Sequence, residues 1–225
     1  VVNGIGEVSE MTLRKKQSTS PEPDGWARGP GRRQASPSGH QHPVLAWIEA
    51  CAQGKLWWPR VPLLAWMIWV WVQHTTADQY QSLAKGLNLG IHELGHMVFA
   101  PLGQFMSVAG GTLLQCLVPL IGMAMFVRQR DAFAVFFAFG WLGTNFFDVA
   151  DYVADARTME LQLVSPFAGG GDEITHDWNW LLSHTGLLAQ DQGLAGLVRF
   201  AGHMSFAVCV AGGVWTLWRM GRSTI

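Results

Sequence analysis

Charge is scarce in this chain. Only 14% of its 225 residues are Asp, Glu, Lys or Arg, against roughly 25% in a soluble domain, and many of these sit in the polar N-terminal stretch. The formal net charge is −1, and no run of bases forms the positive face that phosphate binding needs, which excludes nucleic acid as a partner. Cysteine is nearly absent: Cys51, Cys116 and Cys209 stand far apart, with no CxxC pair. This excludes a disulfide framework and a thiolate zinc site, and leaves small apolar side chains in packed helices. The basic triplet Arg14-Lys15-Lys16 is followed by polar residues, so the apolar core of a signal peptide does not follow it.

Apolar side chains are what the chain has in abundance, 49% by count, with twelve tryptophans, several beside block ends where an amphipathic ring favours the bilayer interface. The length suits one domain. Residues 1–42 are rich in Ser, Pro, Gly and Arg without apolar periodicity and read as a disordered tail. Residues 43–225 read as a polytopic membrane domain. Its five apolar blocks run from Trp57 to Val72, Leu87 to Ala100, Gly110 to Val127, Ala132 to Phe147 and Leu194 to Trp218. A spanning helix takes ~20 apolar residues, which the first, third, fourth and fifth blocks can supply. The second stops at Pro101 and covers only part of a ~30 Å core. The expected fold is therefore an all-α integral membrane protein, with about four transmembrane helices and one short or re-entrant helix.

Bases gather before and at the start of the first block (Arg14 to Arg60), between the third and fourth (Arg128, Arg130) and after the fifth (Arg219, Arg222). By the positive-inside rule both termini are cytoplasmic. Residues 148–193 carry eight acids and one base, Arg157, and read as an external acidic loop. These assignments agree only if the second block enters from the outer face and does not cross.

The second block holds His92-Glu93-Leu94-Gly95-His96. On a helix, His92 and His96 face one side and both imidazoles can reach one Zn²⁺. Glu93 is placed to take a proton from a metal-activated water and return it to a leaving amine. Gly95 leaves room for another helix or a substrate. Two His and a Glu inside an apolar helix are costly and call for partners or a role; bonding to neighbouring helices without metal is the plainer alternative. A third ligand is offered by the segment Gly171-Asp172-Glu173-Ile174-Thr175-His176-Asp177-Trp178: His176 would complete a three-His site, with Asp177 orienting a ligand. The same segment reads equally as a Trp-anchored interfacial loop. His40 and His42 fall in the tail, His74 and His184 at interfaces, and His203 as polar glue between helices.

The run Gly90 to Ala100, followed by Gly110-Gly111, resembles the site-2 protease family of intramembrane zinc proteases. The resemblance covers the motif helix and, loosely, the next two blocks. It implies a third ligand from an Asp on a later helix, for which Asp148 in Gly143-Thr144-Asn145-Phe146-Phe147-Asp148 is the positional match. The family's Pro and the Gly after the Asp are missing here, and the Asn-to-Asp spacing is shorter. The third ligand is thus Asp148 or His176. The expected function is a membrane-embedded zinc metallopeptidase acting on a membrane-protein or peptide substrate in a bacterial inner membrane. The alternative is a zinc-binding membrane scaffold or accessory subunit without proteolysis. A transporter would want internal repeats, and the sequence shows none.

Overall fold

The computed structural model describes residues 42–77, 80–161 and 176–223. Residues 1–41 of the tail and 162–175 of the acidic segment lie outside the described residues. The described elements are helical: α1 (Pro43–Ala52), α2 (Val61–Thr76), α3 (Lys85–Phe99), α4 (Gln104–Arg128), α5 (Ala132–Ala154), α6 (Asp177–Thr185) and α7 (Asp191–Ser223), with single 3-10 turns at Trp58–Arg60, Ala100–Leu102 and Leu188–Gln190.

Local chemistry sets several boundaries. A proline in the first turn of α2 sits where its missing N–H has no helical partner to lose. Gly103, with φ 98°, turns the chain from α3 into α4 through a conformation that side chains with a Cβ resist. Asp131 caps α5 by accepting the Ala134 N–H at 3.1 Å.

Three segments are long and apolar enough to cross a membrane: α4, α5, and Leu188–Ser223, which contains α7. The expected fourth, α2, has 16 residues and is ~24 Å long, short of a ~30 Å hydrocarbon core. The outward faces are apolar. Leu113, Leu117, Leu120 and Ile121 on α4, and Leu197, Phe200, Met204 and Val208 on α7, are all exposed, at the three- and four-residue spacing of one helix face. The core lies between α2, α5 and α7, where Leu64, Met67, Val70, Phe133, Phe147, Phe206, Cys209 and Met220 are buried together.

Side-chain pairs give the helix directions. At the start of α2, Arg60 donates to Asp131 ahead of α5 at 2.9 Å and meets Met220 at the end of α7. Toward the other end, Trp71 Nε1 donates to His203 Nδ1 at 3.1 Å, and His74 stacks on Phe147 at 4.7 Å. So α2 and α5 run one way and α7 the other. Lys55, Arg60, Arg128, Arg130, Arg219 and Arg222 thereby gather at one end of the bundle. Asp151, Asp155, Asp177 and Asp191 gather at the opposite end, two of them paired with Arg199 and Arg157.

The segment before α3 turns back. Tyr80 packs edge-on against His74 and Trp69, and Ser82 and Ala84 line one cavity with Met67 and Val70 of α2. From there α3 rises again: Asn88 is level with Thr144, His92 with Gln115, and His96 with Ser107 near the start of α4. The chain thus leaves α2 and enters α4 at the same, acidic end, and α3 is the returning limb of that excursion.

The described part of 148–193 differs from an open loop. Helix α5 runs on to Ala154, and α6 and a 3-10 turn follow. The polar residues there do not end the helix because each has a partner. Asp148 accepts from Asn88 at 2.9 Å and Asp151 from Arg199 at 2.8 Å. Asp155, one residue past the helix, accepts the Glu160 and Leu161 N–H groups.

At the basic end, Asp131 accepts from Arg60 and pairs with Lys55 at 3.3 Å. Burial pushes its carboxyl up, but the Ala134 N–H and the charges of Arg60 and Lys55 outweigh this and hold it below the ordinary value. A carboxylate depressed in the folded state adds stability above its unfolded pKa of ~3.9, and that stability is lost as pH falls through the folded value. Acid unfolding should therefore show a component below pH ~4 that vanishes in Asp131→Asn, which should itself cost about 1–2 kcal/mol at neutral pH. An unchanged acid limb in that variant would remove Asp131 as its source.

Candidate metal centre

Three ligand atoms converge at the acidic end: one from each of His92, His96 and Asp177, all within 4.8 Å of one another. His92 and His96 sit one turn apart on α3, as the motif predicts. Asp177 comes from the first turn of α6, so the donor set joins the returning helix to the segment that covers it. Asp177 Oδ2 lies 3.0 Å from His92 Nε2 and 3.3 Å from His96 Nε2.

Both imidazoles are held by their far nitrogens. His96 Nδ1 faces the Ser107 carbonyl at 2.9 Å, and His92 Nδ1 faces Gln115 Oε1 at 3.0 Å. A carbonyl oxygen only accepts, so His96 carries a proton on Nδ1, and in the neutral ring the Nε2 lone pair faces Asp177 Oδ2. Two acceptors at that distance need a cation or a proton between them. A metal ion satisfies this arrangement: Nδ1–H groups donate outward while two Nε2 lone pairs and one carboxylate point inward, the usual outer bonding of metal-bound histidine.

Close helix packing makes the pocket. A Cβ on Gly95 would collide with the Gly110 carbonyl and the Gly111 Cα, and a Cβ on Gly111 would stand 2.5 Å from His92 Nε2. The room that Gly95 leaves is thus taken by α4, and Gly111 leaves space for an imidazole. Pro119 of α4 lacks the N–H that would meet the Gln115 carbonyl one turn back, close to the residue that orients His92. Glu93 is half-buried on the same turn of α3, near enough for its charge to act on His96.

The other two candidate ligands are engaged elsewhere. Asp148 faces Asn88, one turn before His92, and Asn88 Oδ1 accepts from Trp141 at 2.9 Å. His176 caps α6: its Nδ1 accepts the Asn179 N–H at 3.2 Å, and its Nε2 faces Asp155 Oδ2 at 3.2 Å. The carboxylate beside His92 and His96 is that of Asp177, because capping a helix turns the His176 ring toward α5 while the next residue faces α3. His176 still serves the site by fastening α6. Asn179 Nδ2 donates to the Ala156 carbonyl at 2.8 Å, and Tyr152 Oη accepts the Asp177 N–H at 3.0 Å. Sequence reasoning passed over Gln115, Ser107 and Tyr152. Gln115 alone carried a signal there, an amide within an apolar run.

No family model, curated protein or solved structure matches this chain.

Proposed function

We propose that the chain is a membrane-embedded zinc metallopeptidase of the site-2 protease kind, with His92, His96 and Asp177 as metal ligands and Glu93 as general base. The observation that carries this reading is a donor set of three among the described residues, with Glu93 beside it. Structural zinc sites are closed by four protein ligands, whereas catalytic ones use three and keep a position open. Zn²⁺ held there would supply a Lewis acid and lower the pKa of a bound water to ~7. Glu93 would accept a proton from water there and return it to the leaving amine. Gln115 and Ser107 fix the imidazoles, and Tyr152 and His176 hold Asp177 over them.

The three apolar segments and their exposed apolar faces support placement in a lipid bilayer. The basic end then faces the cytoplasm by the positive-inside rule, and α3 is re-entrant from the outer side. A bacterial inner membrane fits this orientation.

Glu93→Gln is the test. Membranes from cells carrying wild type or the variant are compared by labelling new protein N-termini. The variant is expected to lose cleavage by at least ~10²-fold, the lower range for a general base, and to keep its zinc. Retained turnover would remove Glu93 from the mechanism. Identical termini in both, with unfolding when His92 is replaced by Ala, would leave a zinc-stabilised scaffold.

A further inference from the structure

Helix α7 carries an exposed apolar stripe that ends in a base. Leu197, Phe200, Met204, Val208, Trp215 and Trp218 are all exposed, and at ~100° per residue each falls within roughly 40° of Arg222 around the helix axis. From Leu197 to Trp218 the stripe rises ~30 Å, the thickness of a hydrocarbon core, and Arg222 stands ~6 Å further on. Headgroups widen a bilayer to ~40–45 Å, so Arg222 falls in the headgroup layer at the basic end.

Arg222 also lacks the partner that most other bases have. Arg219 pairs with Glu49, and Lys55 and Arg60 share Asp131. At the acidic end, Arg157 and Arg199 pair with Asp191 and Asp151. No carboxylate pairs with Arg222 among the described residues; its Cζ instead lies 4.0 Å from the centroid of the Trp218 ring. Such a ring contact holds a guanidinium and leaves its N–H donors for a phosphate. We infer that Arg222, held on Trp218, binds the phosphate of an anionic phospholipid whose acyl chains lie along the α7 stripe. The inference rests on placement in a bilayer and is independent of the peptidase reading.

Two features choose this occupant. A soluble anion or an acidic protein segment would make no use of an apolar stripe as long as a hydrocarbon core is thick, whereas a lipid covers the stripe with its chains and meets the base with its head. Charge then chooses among lipids. A zwitterionic headgroup carries its own cation, while a net negative one gains ~fivefold in affinity from one base near the surface.

The test titrates the full chain in detergent with palmitoyl-oleoyl phosphatidylglycerol, or with the phosphatidylcholine of the same chains, and counts retained lipid by native mass spectrometry. Phosphatidylglycerol is expected to be retained at ~fivefold lower concentration. Arg222→Gln should erase this preference and leave phosphatidylcholine retention unchanged. Arg130→Gln removes the same charge from the turn between α4 and α5, away from the stripe, and should leave the preference intact. Equal retention of the two lipids by wild type, or a preference that survives Arg222→Gln, overturns the inference. A preference lost equally in Arg130→Gln also overturns it, since the source would be the diffuse field of the basic end. So does a fall of both lipids alike in Arg222→Gln, which would mean a contact blind to charge. Retention of neither lipid by wild type removes the bilayer placement as well. Cleavage dependent on Glu93 is read separately, so the peptidase reading can fail while the lipid site stands, and the reverse.

Discussion

Protein purified in detergent without chelator is expected to carry about one zinc per chain, and Asp177→Ala to lose it. Removing a ligand takes away a charged donor and leaves two imidazoles aimed at an empty corner. The loss of affinity should therefore exceed the ~10–100-fold that follows from removing a partner that only orients a ligand. Gln115→Leu supplies that comparison: it takes the acceptor from His92 Nδ1 and should weaken zinc binding by ~10–100-fold without abolishing it. Two further variants separate the donor sets. Asp148→Asn should keep zinc, because Asp148 is engaged with Asn88. His176→Asn should also keep it, because Asn remains a good helix cap. Elemental analysis of the four variants decides the matter. Zinc retained by Asp177→Ala and lost by Asp148→Asn would replace the α6 ligand by the α5 one.

Gly95→Ala should destabilise the fold sharply, whereas Gly90→Ala on the same helix should not. A methyl at Gly95 meets backbone atoms of Gly110 and Gly111, which no rotamer change can move, while at Gly90 it meets nothing within 4 Å. Overpacking of this kind costs ~1–3 kcal/mol and more when backbone must shift. The Gly90 variant should gain up to ~1 kcal/mol from helix propensity alone. Thermal unfolding in one detergent, with zinc removed from all samples, compares them without metal linkage. Equal midpoints would mean that α3 and α4 do not make this contact. Gly111→Ala should behave differently again: its methyl displaces the His92 imidazole, so zinc affinity should fall more than stability.

The motif pair and its companion Glu93 were legible because three residue types at fixed spacing on a helix have one geometric consequence: His92 and His96 face together. The apolar blocks were legible for a similar reason, since an apolar run has few alternatives to burial or lipid. Their ends are less legible. Asp148 and Asp151 resemble a helix stop when read in a line, and they stop nothing once Asn88 and Arg199 are beside them.

By itself, the sequence determined a charge-poor chain that is helical over the described elements, two histidines at ligand spacing, and a carboxylate beside them. These are properties of composition and of spacing within one helix, which local geometry converts directly into structure. The third residue of the candidate group was decided only by the tertiary structure, because Asp177 lies 81 positions after His96 in the chain and no periodicity links residues on separate helices. Which of His176 and Asp177 faces α3 depends on how α6 is capped and clamped to α5. The returning path of the segment before α3 also arose only in three dimensions. It follows from how α2, α3 and α5 pack, and packing is a relation among segments that no single segment encodes.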